Sequence, residues 1–219
     1  MTWDWQYAWT CLPFLLHGLQ VACLATVGGF VLALGLGVAT ALGLRGWRPL
    51  ARLLDATVTV IRSTPLLIQL YIAFYALPQF GLTMAPLTTG ILVLGLHYCA
   101  YVSEIVRAGI DQVPAGQWDA CRALGLKPTT MWWSVILPQA LRPMLPALAN
   151  QFVAMLKDTP LLSTITVVEL LGAARMLGSE HFRYLEPVTL VGVLFLAVSL
   201  GASGISHRLE RFTARSLRV

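Results

Sequence analysis

The chain has 219 residues, 57% of them hydrophobic and 11% charged, with a net charge of +5, whereas soluble domains have about a quarter of their residues charged. Such a composition belongs to a membrane protein and excludes a cytosolic enzyme domain and a DNA-binding module. At about 20 apolar residues per crossing, the length allows roughly five or six helical spans with short connections and no sizeable soluble domain.

The basic residues are dispersed at the ends of apolar stretches, where the positive-inside bias accounts for them and no nucleic-acid surface is needed. Met1-Thr2-Trp3-Asp4-Trp5 carries an acid and no base, unlike the start of a cleaved signal peptide, so the first helix is expected to stay in the mature protein. The first apolar run extends from about Leu12 to Leu44, interrupted by His17 and Gln20. Arg45, Arg48 and Arg52 follow it and mark an inward-facing loop. A second run, about Leu53 to Leu77, ends in an uncharged turn with Pro78, Gly81 and Pro86 that must face outward, making a hairpin with the next span.

The third run, about Leu87 to Ile110, returns inward, and Asp111 to Trp133 forms the largest inward-facing loop, with Arg122 and Lys127. In the fourth run, about Ser134 to Leu156, Pro138, Pro143 and Pro146 each remove a helical hydrogen bond, which predicts a helix that is bent or begins in pieces. From Lys157 to Glu186 both charge signs occur, too polar a mixture for a plain lipid-facing span. The last run, about Pro187 to Ile205, leads into Arg208, Arg211, Arg215 and Arg218. Five crossings, with the amino terminus outside and the carboxyl terminus inside, fit these signals; only Arg175 and Arg183 stand against them.

Cys11, Cys23, Cys99 and Cys121 have no metal-ligand spacing and read as thiols packed in the membrane. His17, His97, His181 and His207 likewise lack ligand spacing and read as structural. Gly35-Leu36-Gly37 lies inside an apolar run and no G-x-x-x-x-G-K-[ST] occurs, so this chain has no phosphate loop for ATP. Its glycines, among them Gly28, Gly29, Gly35 and Gly37, are expected to allow close helix packing.

Within the inward loop, Pro114 suits a helix start and Gly125 a helix stop. The helix between them has Trp118, Cys121 and Leu124 at three-residue intervals on one face and Asp119 and Arg122 on a neighbouring one. So short a helix needs a surface to pack on, either lipid or a partner protein.

Asp119-Ala120-Cys121 followed by Gly125, and then Ile136-Leu137-Pro138, resembles the cytoplasmic signature of ATP-binding-cassette importer permeases, Glu-Ala-Ala, three residues, Gly, then Ile and Leu-Pro. Further segments agree in order: Arg62-Ser63-Thr64-Pro65 through Gln69-Leu70, Ala100-Tyr101 through Glu104 to Gly109-Ile110, Leu137-Pro138-Gln139 to Arg142-Pro143, Asn150-Gln151-Phe152, and Leu156-Lys157-Asp158-Thr159-Pro160. Over about residues 12–205 the chain is similar to the permeases for polar amino acids and opines, the histidine/glutamine/arginine group. Two departures stand out: Asp119 replaces the usual Glu, and Cys121 the second Ala.

The resemblance implies an all-α integral membrane fold of the type I importer class, one permease domain over 1–219 with a core of about 12–205, a coupling loop of about 111–133 and a basic tail of about 206–219. It implies a bacterial inner-membrane subunit without its own ATPase site, working with an ATPase dimer that binds ATP and Mg²⁺, a second permease subunit, an extracytoplasmic binding protein and a polar amino-acid substrate. It assigns Trp118, Asp119, Ala120, Cys121, Arg122, Leu124 and Gly125 to ATPase coupling. It also places Thr64, Pro65, Gln69, Lys157 and Asp158 around the substrate path. Gln139 and Arg142, near the cytoplasmic end of the fourth run, read as braces for the docking helix rather than ligands.

Ionisable groups at bilayer depth cost at least about 2.5 kcal/mol, which makes Arg62, Glu104, Lys157 and Asp158 candidates for function. A zwitterion needs an acceptor at its ammonium and donors at its carboxylate. Asp158 is expected to receive the ammonium, with Thr64, Gln69 and nearby backbone groups on the carboxylate, Pro65 exposing that backbone, and Glu104 and Asn150 as second-rank ligands. The bland alternative has Arg62 pair with Glu104 or Asp158 to hold spans together. A rival function is a self-contained carrier driven by an ion gradient, with Glu104 and Asp158 as coupling carboxylates, although no clear inverted repeat is present. A membrane hydrolase lacks a nucleophile and base.

Overall fold

The computed structural model describes residues 2–215, and these are helical with no strand. Arg218 lies outside the described residues, as do the side chains of His207, Arg211 and Arg215.

Helix α1 (Trp5–Gly43) has 39 residues and so measures about 58 Å at about 1.5 Å per residue. It opens on Asp4, whose carboxylate accepts the N–H groups of Gln6 at 2.9 Å and Tyr7 at 3.2 Å, a side-chain cap for otherwise orphaned donors. Ala25, Gly29, Ala33, Gly37 and Ala41 are buried along it. At Gly37 a Cβ would lie 2.5 Å from Val102 of the facing helix, so only glycine lets the two backbones approach this closely. Gly35 has open space around it and takes no part in the packing.

After a turn at Leu44–Trp47 the chain enters α2 (Arg48–Ser63), so of the three expected loop arginines only Arg45 is in the turn; Pro49 sits where a first helical turn accepts it, which draws Arg48 and Arg52 into the helix. The second apolar run is not one straight span. It breaks by 102° between α2 and α3 (Leu66–Tyr71), then continues through a π-helical turn at Ile72–Ala76 and a 3-10 turn at Leu77–Phe80. Helix α2 buries only Val58.

Helix α4 (Pro86–Asp111) is the most deeply packed element, and it pairs with α1 along their length. Arg45 forms an ion pair with Asp111, which brings the ends of α1 and α4 together. Next come the short α5 (Ala115–Ala123), the single turn α6 (Pro128–Thr130) and a π-helical stretch at Met131–Ile136. Helix α7 (Leu137–Asp158) follows at once. The irregular start falls just ahead of Pro138, whereas Pro143 and Pro146 are held inside a continuous α7.

The polar stretch after α7 becomes a 3-10 segment, Thr159–Ile165, then α8 (Leu170–His181) and α9 (Leu185–Arg215). Buried Glu169 earns its place by capping α8, accepting from the N–H groups of Leu171 at 2.9 Å and Gly172 at 2.8 Å. Arg183 pairs with Glu186 and, at 3.5 Å, with Asp4, and its guanidinium lies over the Tyr7 ring. Two carboxylates thus meet the charge that runs against the positive-inside bias.

By length and hydropathy α1, α4 and residues Leu185–Gly204 of α9 can each cross a membrane, and the two bent pairs raise the number to five. One core joins α1, α4 and α7 around Leu94, Val102, Met144 and Met155, and a second lies between α1, α8 and α9 around Cys11, Leu15 and Leu170. All four cysteines are free thiols, three of them buried.

Candidate functional site

The 102° break between α2 and α3 follows from Pro65. Its ring disfavours helical geometry at the preceding residue, and Thr64 is extended at φ −102° and ψ 127°. Carbonyls at the break thereby lose their regular donors, and for three of them side chains step in. The Thr64 hydroxyl donates to Val60 O at 2.8 Å, while Gln69 Nε2 donates to Ile61 O at 2.8 Å and to Thr64 O at 3.0 Å. Both amide protons of Gln69 are spent on backbone carbonyls, and so is the hydroxyl proton of Thr64.

The opposite wall is one face of α4. Gln69 Oε1 lies 3.2 Å from Nδ1 of buried His97. The ring of His97 is 5.5 Å from that of Tyr98 and 5.4 Å from that of Tyr101, and the two tyrosine rings are 5.9 Å apart. From this cluster Tyr98 donates its phenol to Asp158 Oδ2 at 2.8 Å, at the last residue of α7. The Arg62 guanidinium lies 5.5 Å from the centre of the Tyr101 ring, a cation–π contact. Arg62 forms no ion pair with Glu104 or Asp158. Glu104, two turns along α4 from His97, pairs instead with Arg107 at 2.9 Å.

Thr64, Pro65, Gln69 and Asp158 therefore meet around α4, with Glu104 at the margin. Asn150 and Lys157 do not join them. Asn150 accepts the Ser206 hydroxyl at 2.8 Å, and Lys157 lines a crevice against α9 with Phe195, Ser199 and Ser203. Lys157 and Asp158 are consecutive yet turn to different helices, as about 100° per residue requires.

Elsewhere, α5 begins after Pro114 and stops ahead of Gly125, whose φ is +63°. Leu126 N–H bonds to Cys121 O at 3.1 Å and Gly125 N–H to Arg122 O at 3.0 Å, the paired bonds of a left-handed glycine stop. Trp118 packs edge-on against Trp132 with ring centres 5.4 Å apart, Cys121 is buried, and Gln139 donates to Gln117 at 3.3 Å. Leu124 does not share that face. Six residues beyond Trp118 is about 120° round the axis, so Leu124 points away and is 76% exposed, with Ala120 and the Asp119–Arg122 pair also on the outside. An inner face thus holds α5 to the bundle, and an outer one is left open.

The family described as binding-protein-dependent transport system inner membrane component matches residues 11–215. The chain belongs to this family. Among curated relatives, a probable amino-acid ABC transporter permease of Sinorhizobium fredii is 41% identical over 93% of this chain and 91% of its own length. The L-cystine transport system permease of Bacillus subtilis is 36% identical over 93% and 89%, and the glutamine transport system permease of Escherichia coli 36% over 96% and 98%. A solved amino acid ABC transporter chain superposes with a TM-score of 0.90 at 33% identity, covering 96% of this chain and 99% of that one. The MetNI methionine transporter, at 21% identity and a TM-score of 0.73, shares the fold.

As a permease component of a binding-protein-dependent transport system, the chain is an inner-membrane subunit without an ATPase site, and a self-contained carrier is set aside. The candidate site of the permease also includes His97, Tyr98 and Tyr101, which contact Gln69, Asp158 and Arg62. From the sequence His97 reads as structural, and Tyr98 and Tyr101 receive no role. Their signal was spacing: 97, 98, 101 and 104 form one polar and aromatic stripe at helical intervals on an otherwise apolar span.

Proposed function

We propose that this permease imports amino acids, holding the zwitterion between the α2–α3 bend, the aromatic face of α4 and the end of α7. The carrying observation is that Tyr98 and Tyr101, one turn apart, hold an acid and a base of opposite need: Asp158 by hydrogen bond and Arg62 by its ring. Asp158 takes the ammonium and Arg62 the carboxylate, each a charge-assisted contact. Thr64, Pro65 and Gln69 shape the Arg62 side, because their own donors are absent or engaged. Glu104 and Asn150 are second-rank ligands, and Lys157 and Asn150, which face α9, border the path away from this cluster. The names of the relatives, for glutamine, L-cystine and amino acids generally, support this substrate class.

The outer face of α5, with Asp119, Ala120, Arg122 and Leu124, docks one member of an ATPase dimer, while Trp118, Cys121 and Gly125 fix the helix from within. ATP and Mg²⁺ bind to that partner. A second permease subunit, identical or homologous, completes the path, and an extracytoplasmic binding protein delivers the amino acid on the side of the amino terminus. Lipid surrounds a single permease domain of about residues 12–205, with the coupling loop at about 111–133 and the basic tail at about 206–219 on the cytoplasmic side. ATP and the binding protein act by favouring different members of a pair of bundle arrangements.

The test is affinity purification of the permease from its membranes, identification of the copurifying chains, and ATPase assay with the binding protein and a panel of amino acids. Amino-acid-stimulated hydrolysis that loses its concentration dependence in Asp158→Asn is the expected result. Unchanged uptake affinity and rate in assembled Asp158→Asn complexes would remove the ligand role of this carboxylate, and transport by the chain alone without ATP would remove the importer.

A further inference from the structure

Pro65 takes the N–H that would have bonded to Ile61 O four residues back, and that carbonyl keeps only a long 3.4 Å contact with Thr64 N–H. One residue past the break, Ile68 N–H turns to Pro65 O at 3.0 Å, which leaves Thr64 O without its helical donor. A single side chain repairs both losses. Gln69 reaches back across the bend and gives one amide proton to each carbonyl, at 2.8 and 3.0 Å. An amide has two N–H donors and no more, so its oxygen is forced to face the other way, toward His97 Nδ1 at 3.2 Å. An oxygen there accepts only, so His97 must carry its proton on Nδ1.

We propose that His97 and Gln69 are positioning residues for transport, His97 orienting the Gln69 amide and the amide fixing the α2–α3 bend at the angle that presents Arg62 and Thr64 to substrate. The inference rests on the amino-acid site proposed above and adds the device that sets one wall of it. Two features distinguish this brace from ordinary packing. It engages both amide protons and the amide oxygen of Gln69, so a change at either residue orphans a group at the other. It also joins the bend to α4 at His97, immediately next to Tyr98, which holds Asp158. The bend and the acid are thus referenced to adjacent residues of one rigid helix.

The experiment uses the whole transporter in liposomes, with its ATPase and binding protein, and measures uptake against glutamine, cystine and arginine concentration. Gln69→Met and His97→Phe keep side-chain bulk and remove the bonds; each is expected to raise the half-saturating concentration about tenfold, equivalent to about 1.4 kcal/mol, with a smaller change in maximal rate. His97→Asn, which keeps a donor near the Nδ1 position, is expected to stay within about twofold of the parent. The double variant is expected to be no worse than Gln69→Met, as for two residues acting through one contact. Parent-like affinity in both single variants, additive losses in the double, or equal damage from His97→Asn and His97→Phe would each overturn the proposal. If Gln69→Met does not assemble, the contrast between the two His97 variants decides alone. Asp158→Asn is measured beside them: an unchanged affinity there together with the expected pattern at 69 and 97 retires the Asp158 reading and keeps the brace.

Discussion

The phenol of Tyr98 donates to the carboxylate of Asp158 across 2.8 Å, and through that bond the middle of α4 holds the last residue of α7. The carboxylate keeps further lone pairs for an incoming ammonium group, so the bond orients Asp158 without consuming it. Hydrogen bonds to charged groups contribute about 1.5–3 kcal/mol. Tyr98→Phe is accordingly expected to raise the half-saturating substrate concentration about tenfold while leaving the amount of assembled complex near that of the parent. Concentration-dependent uptake in liposomes measures the first, and quantitative immunoblotting of membranes the second.

On the open side of α5, Leu124 is 76% exposed while Trp118 and Cys121 secure the helix from behind. Leu124→Asp is expected to leave the permease inserted and folded but to weaken ATPase copurification about tenfold or more, the scale of an interface anchor. Trp118→Ala is expected to lose both folding and copurification, because it removes the inner contact with Trp132. Detergent pull-down with tagged ATPase, read beside thermal unfolding of the permease alone, separates the two.

The seam between α1 and α4 gives a paired test at glycine. At Gly37 a new Cβ would stand 2.5 Å from Val102, and at Gly35 it would meet nothing within 4 Å. Gly37→Ala is expected to destabilise by about 1–3 kcal/mol, the cost of overpacking, and Gly35→Ala to change stability by no more than about 0.5 kcal/mol. Unfolding in a fixed detergent, followed by tryptophan fluorescence, reads both.

Arg183 stands between Glu186, Asp4 and the Tyr7 ring. Arg183→Met leaves the Glu186 carboxylate buried without its counter-charge, and the melting temperature is expected to fall by a few degrees. Replacing both, as Arg183→Met with Glu186→Met, is expected to recover much of the loss, since an apolar pair often substitutes for a buried ion pair. A double variant as unstable as Arg183→Met alone would show that the carboxylate itself, through its bond from Asp4 N–H, holds the amino terminus.

Much of the fold was legible because hydropathy and proline placement are local signals. The long apolar helices, the irregular entry to α7 and the start and stop of α5 all follow from residues within a turn or two of the feature. What the sequence did not reveal depends on contacts between distant segments. Thr64-Pro65 signals the break and the exposed backbone, but the bonds that bridge it come from Gln69, whose amide oxygen meets His97, 28 residues away in the chain. The alternative pairing of Arg62 with Glu104 gives way for a related reason: Arg107 is one turn away on the same helix, and the local pair prevails over one across the bundle. Leu124 shows the limit of periodicity, since a three-residue spacing drifts off a face within two repeats.

Helix α1 is about 58 Å long, against about 40–45 Å for a whole bilayer with its headgroups. Such a helix fits only by leaning or by holding its ends in water. Both ends are moored, one by Arg45 to Asp111 and the other by Asp4 to Glu186 and Arg183, and the glycine seam fixes α4 to its flank. Because α1 and α4 pack closely along their length, a thicker or thinner bilayer is expected to tilt them together, and with them the aromatic face of α4. Uptake is therefore expected to change with acyl-chain length, and liposomes of different chain length holding the same transporter would measure it.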